Sequence, residues 1–164
     1  MDNETEAEDR QWYAIYTHRK QEERASRYLV AGGIETLHAK IKTRRFNAST
    51  GAQTYITEAL FPSYILAKFN ARKQLHLIRF SRGVRNVVYF GNNPAVVHSD
   101  IIDIVRARID QNGFAKVIND PKPEDKMVID AGPLRDLIGM FEREVKGSER
   151  SVILLSAIAY MRPS

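Results

Sequence analysis

Two spacings of apolar residues recur along the first 110 positions. Trp12-Tyr13-Ala14-Ile15-Tyr16-Thr17 is rich in aromatic and apolar residues and predicts a buried strand. From Arg19 to Ala31 strong helix formers take over. Ala25, Tyr28 and Leu29 make a stripe at i, i+3, i+4, and Gly32-Gly33 ends it. Ile34 to Arg45 is extended with a basic end (Lys40, Lys42, Arg44, Arg45), and the turn formers Asn47 to Gly51 predict a projecting hairpin. Thr54–Thr57 and Tyr64–Phe69 follow as strands, with Phe61-Pro62 bending the chain between them, since proline cannot donate to a ladder. Ala71 to Phe80 offers Leu75, Leu77 and Ile78 to a short helix, and Asn86–Phe90 is a strand. Gly91 to Pro94 is a turn. Ser99 and Asp100 are placed to cap a helix whose apolar face is Ile101, Ile104, Val105 and Ile109. Strand, helix, three strands, helix, strand, helix predicts an α+β fold, a ferredoxin-like αβ sandwich.

Turn formers and prolines from Gln111 to Pro123 predict a linker. The expected organisation is a disordered acidic tail over residues 1–10, a domain over 11–110, a linker over 111–123 and a small module over 124–164.

Charge divides the chain in the same way. The net charge is +5 over 164 residues. Residues 1–10 carry five acids and one base, residues 11–120 carry 17 bases and 8 acids, and residues 121–164 carry seven of each. The middle segment is a basic body suited to polyanions, with an attraction that weakens as salt rises. Charged residues make up 27% and no apolar run approaches the ~20 residues of a membrane span, so a soluble protein without membrane contact is expected. The absence of cysteine excludes disulfides and thiolate chemistry and fits a cytoplasmic location. His18, His38, His76 and His98 are scattered and lack ligand spacing, so neither a metal nor a cofactor is expected. No GxSxG elbow or phosphate loop is present, which argues against an enzyme. Glu22-Glu23 reads as a solvated helix face.

Binding residues are better represented. His18, Arg19, Lys20, Gln21 and Arg24 cluster where the first strand enters the first helix, and Gln and Arg can make bidentate contacts to bases. Arg79, Arg82 and Arg85 form a second basic group. Phe61, Tyr64 and Phe69 suit either a core or an apolar surface for a partner helix.

Trp12-Tyr13 before a basic helix, then Leu60-Phe61-Pro62-Ser63-Tyr64, then Arg82-Gly83-Val84, resembles the N-terminal domain of NusG-type transcription factors. Glu124 to Ile129 and Ala131 to Leu134 resemble the start of a KOW module, with Ser151–Leu155 as a later KOW strand. The resemblance spans about residues 11–160 and leans toward the RfaH-like branch of the family. It implies an elongation and antitermination factor that suppresses pausing and termination. Its partners would be the clamp helices of the largest RNA polymerase subunit and single-stranded non-template DNA, with a ribosomal protein or Rho recruited by the KOW module. By this analogy Tyr16, Phe61, Tyr64 and Leu66 would meet polymerase. His18, Arg19, Lys20, Gln21, Arg24, Arg79 and Arg82 would meet DNA, and Glu58 and Arg150 would join the two domains of a monomer. Two departures stand out: His18 replaces a lysine of the branch's basic patch, and Gln74-Leu75-His76 matches its second polymerase-contact motif poorly.

The C-terminal module has two readings. It is either a KOW β-barrel or a helical hairpin, because Leu134, Leu137, Ile138, Phe141 and Val145 fit a helical stripe as well as a strand. A KOW barrel is expected to have another strand after the segment ending near Tyr160, so with the residues ending at Ser164 either the sequence is cut before that strand or a sheet edge lies exposed. The alternative function is an RNA-binding module of RRM-like topology without polymerase contact, which requires exposed aromatics on the sheet face.

Overall fold

A computed structural model describes residues 9–116 and 132–162. The tail up to residue 8, the linker from residue 117 and the expected KOW start over 124–131 lie outside the described residues.

The elements in chain order are β1 (Gln11–Thr17), α1 (Glu22–Ala31), β2 (Glu35–Leu37), β3 (Lys40–Phe46), β4 (Gln53–Ala59), β5 (Tyr64–Phe69), α2 (Ala71–Arg79), β6 (Val84–Val87), β7 (Tyr89–Phe90), β8 (Asn93–Pro94), β9 (Val96–Val97), α3 (Ser99–Ala107), α4 (Gly132–Gly139) and α5 (Gly147–Tyr160). The main sheet has the order β2-β5-β1-β6, with β9 also on β1, and every pair is antiparallel. β3 and β4 form a separate two-stranded ribbon.

Strand alternation sorts the core into two layers. Tyr13 and Ile15 on β1, with Ile65, Ala67 and Phe69 on β5, pack against Ala25 and Leu29 of α1 and Ile78 of α2. Their neighbours Trp12, Ala14 and Leu66 point the other way and join Ile101, Ile102 and Val105 of α3. That second layer continues into Leu134, Leu137 and Ile138 of α4 and Leu154, Ala157 and Ile158 of α5. The sheet therefore carries helices on both faces, which explains why Trp12–Thr17 is apolar almost throughout rather than alternating.

Several expectations change. Ser151–Leu155, expected as a KOW strand, lies inside α5. Its buried residues Ser151, Leu154 and Ile158 are spaced for one helical face, and a strand would have turned Leu154 and Leu155 to opposite sides. Gly132 to Leu134, expected at a barrel's start, opens α4. The described C-terminal residues thus take the helical form of the two that the sequence allowed. α1 begins at Glu22 rather than Arg19, because Lys20 adopts a left-handed backbone (φ 61) that a helix excludes. α3 is capped by neither Ser99 nor Asp100; His98 Nδ1 accepts the Asp100 N–H at 3.1 Å. Ile109 lies beyond the end of α3, in a bridge with Ala115.

Candidate nucleic-acid and protein interface

The basic cluster is assembled by two loops. The turn from β1 to α1 carries His18, Arg19 and Lys20, all exposed, and Gln21 and Arg24 follow at the start of α1. The loop from α2 to β6 lies directly against it: the His18 N–H donates to the Gly83 carbonyl at 2.9 Å. Gly83 is left-handed (φ 82), and a Cβ there would meet the Ala25 nitrogen at 3.0 Å. Only glycine permits this approach. It brings exposed Arg82 beside the α1 group, whereas Arg79 is exposed at the end of α2. Arg85, by contrast, turns toward the other sheet face, its guanidinium 5.5 Å from the Tyr16 ring centre.

Glu22 departs from its expected solvated face. It is buried, and its carboxylate accepts the Ser63 N–H at 3.4 Å, where Ser63 is also left-handed (φ 71). A cleft of about 610 Å³ opens here, lined by Arg19, Lys20, Glu22, His38, Arg45 and Glu58 among others. Burial, then the charge of Lys40, holds the His38 imidazole below the ordinary histidine range, against the weaker upward pull of Glu22 and Glu23. Its Nδ1 is buried without a hydrogen-bond partner among the described residues.

Tyr16, Tyr64, Phe61 and Leu66 gather around the opposite face. The Tyr16 and Tyr64 rings lie 5.3 Å apart across the β1–β5 pair. Burial, then Tyr16, pushes the Tyr64 hydroxyl above the ordinary tyrosine range. Phe61 and Leu66 are fully enclosed, in the same apolar cluster as α4 and α5.

Glu58 and Arg150 do meet. Arg150 Nη2 donates to Glu58 Oε1 at 2.8 Å and to the Ala59 carbonyl at 3.2 Å. Its Nε reaches the Leu60 carbonyl and its Nη1 the Val145 carbonyl, both at 2.6 Å. Arg150 is 3% exposed and the Glu58 side chain 35%, so the pair is shielded on one side only. Ser151 Oγ adds a bond to the Pro62 carbonyl at 2.8 Å. Gly147 sits so close to the Pro62 ring that a Cβ would come within 2.8 Å of Cγ. Sequence reasoning missed Ser151 and Gly147. Ser151 follows Arg150 on α5, so a helical reading of that segment would have exposed its role.

Among the described residues, no group of three or more His, Asp or Glu side chains is arranged to hold a metal ion, and no helix is long and apolar enough to cross a membrane.

The chain matches the family model described as "Transcription termination factor nusG" over residues 10–106, more than half its length. The chain belongs to the NusG family. NusG proteins are transcription factors rather than enzymes. A similar solved structure is described as "Domain interaction in Thermotoga maritima NusG". It is 20% identical, with a TM-score of 0.38, and the match covers 58% of this chain and 54% of that one. The NusG match takes in β1 through most of α3, and hence both loops of the basic cluster and the apolar group around Tyr64; α4 and α5 lie beyond it.

Proposed function

We propose that this NusG-family chain acts on elongating RNA polymerase and suppresses pausing and termination. Tyr16, Phe61, Tyr64 and Leu66 form the apolar surface for the clamp helices. His18, Arg19, Lys20, Gln21, Arg24 and Arg82 hold the non-template strand, with Arg79 at the margin. The arrangement lowers the free energy of one polymerase conformation and needs no bond chemistry. The C-terminal module supplies the contact for a further partner, a ribosomal protein or Rho.

One observation carries this reading and adds a control to it. Phe61 and Leu66 share a single apolar cluster with α4 and α5. In this form the helix pair occupies the surface that polymerase requires, so the protein is closed. Arg150 and Ser151 fasten the pair to the Glu58–Pro62 segment through four contacts with β4 and the chain that follows it, three of them to backbone carbonyls. The RfaH-like character proposed from the sequence rests on this closed form and on the basic patch.

The test is binding to core RNA polymerase by the full chain, by Arg150→Ala and by Tyr64→Ala. Arg150→Ala is expected to bind at least tenfold more tightly than wild type. Arg150→Ala combined with Tyr64→Ala should lose that gain. Equal affinity in all four proteins would remove both the docking surface and its masking.

A further inference from the structure

The β3–β4 ribbon contains residues that neither the core nor the apolar surface uses. Its register places Arg44 opposite Tyr55, Lys42 opposite Thr57 and Phe46 opposite Gln53. Directly opposed residues share a face, so these six side chains stand together on one side of the ribbon. All six are exposed, whereas Ile41, Thr43, Ile56 and Glu58 on the inner side are half-buried against the body. Phe46 is 67% exposed and Tyr55 62%, values at which a ring contributes nothing to a core.

The outer face holds cations and rings but no acid. Glu58 is the one carboxylate of the ribbon; it lies on the inner side and is engaged by Arg150. Among the described residues Arg44 and Arg45 have no ion-pair partner within 4 Å, and Lys42 rests over the Phe114 ring at 5.2 Å. Cations also guard an unpaired strand edge against aggregation, but that role requires no aromatic ring.

The face is also rigidly presented. At the tip, Asn47 Oδ1 accepts the Ser49 N–H at 3.0 Å, and the Asn47 N–H donates to the Ala52 carbonyl at 2.9 Å. At the root, the Lys40 N–H donates to the Gly113 carbonyl at 2.8 Å, and the Ala115 N–H to the Lys40 carbonyl at 2.7 Å. Strands of seven residues reach roughly 23 Å between these two anchors.

We propose that the outer face of the β3–β4 ribbon binds a single-stranded nucleic acid, Phe46 and Tyr55 stacking on bases while Lys42 and Arg44 neutralise phosphates. Rings stack on base faces, which a single strand exposes and a duplex conceals. The site adjoins the α1 patch across the cleft that Thr57 lines together with Arg19 and Lys20, and its six side chains are exposed while α4 and α5 are seated, so the full chain can be assayed. DNA and RNA strands share the recognised chemistry.

The experiment measures affinity of the full chain for a 20-nucleotide mixed-sequence single strand, as DNA and as RNA, and for a duplex of the same sequence, across a salt series. Lys42→Gln/Arg44→Gln is expected to weaken single-strand binding at low salt. It should also lower the slope of log affinity against log salt by about 1.4, the sum for two phosphates on a single strand. Phe46→Ala/Tyr55→Ala should weaken binding roughly fivefold or more at an unchanged slope. The larger loss, on DNA or on RNA, identifies the strand. Circular dichroism spectra equal to wild type verify folding; all four side chains are exposed. Single-strand affinity and slope unaltered in both variants overturn the proposal. If Arg19→Ala/Arg24→Ala alone then loses binding, the α1 patch survives without the ribbon. Loss confined to the duplex also overturns it.

Discussion

The two layers of apolar residues on either side of the sheet are built differently. The layer under α1 and α2 draws its buried apolar residues from the first 90 positions. The layer under α3 to α5 begins the same way but is closed by helices from beyond residue 131. Its closure depends on a buried arginine and serine that donate to backbone carbonyls at the end of β4 and in the segment after it. Apolar contact is indifferent to orientation, whereas these bonds exist in one pose only. The first layer is suited to permanence, and the second to a docked element with a defined seat.

Mutations can set the two layers against each other. The largest effect is expected from Arg150→Ala, which leaves Glu58 and the carbonyls of Ala59 and Leu60 without their donor. Leaving the Ala59 and Leu60 carbonyls and a half-shielded carboxylate without their donor costs about 3 kcal/mol in all, here taken from docking rather than from the domain. Amide exchange should accelerate across α5 while β1 and β5 stay protected. Leu29→Ala, under α1, should cost about 3 kcal/mol and accelerate exchange in β1 and β5 themselves. If Arg150→Ala exposes both layers equally, they are one cooperative unit and the comparison fails. Gly147→Ala forces a methyl group against Pro62 and should loosen α5 by about 1–3 kcal/mol. Ser151→Ala removes one hydrogen bond and should loosen it by about 1 kcal/mol, read by the same exchange.

The smallest effect concerns pH. Burial and Lys40 depress the His38 pKa in the folded state. The unfolded chain therefore takes up the proton first as pH falls past about 6.5. This contribution to stability is complete above that value and is lost as pH drops through the lower folded value. The melting temperature should decline between pH 7 and pH 5, and His38→Gln should flatten the decline.

Much of the first layer was legible in the sequence. The Trp12–Thr17 run, Ala25 and Leu29 of the helical stripe, and Gly32-Gly33 each mark a local element, whereas Tyr28, expected in the same stripe, is exposed. The second layer was not. Val152-Ile153-Leu154-Leu155 suits a buried strand or a buried helix, and only the partner surface decides between them. The pairing of Glu58 with Arg150 entered through family resemblance, but Ser151, Gly147 and the carbonyl acceptors did not, since acceptors on the backbone leave no trace in residue identity. The same holds for the basic cluster. The composition named its side chains, while the His18–Gly83 hydrogen bond that unites two loops depends on a backbone turn. Burial of Glu22 was hidden because its partner is a main-chain N–H.

The position of β1 has a consequence for the order of events during synthesis. This strand leaves the ribosome before every other described element, yet it lies at the centre of the sheet. It pairs with β5, then β6, and at last with β9, where Trp12 faces Val97. Contacts between residues so distant along the chain form slowly and cannot form before both ends exist. The nascent β1, with Trp12, Tyr13 and Ile15, therefore waits unpaired on its β9 side until the segment before α3 has emerged. Only then is there a finished surface for the last two helices to meet, so α4 and α5 are added to an already folded domain rather than taking part in its nucleation.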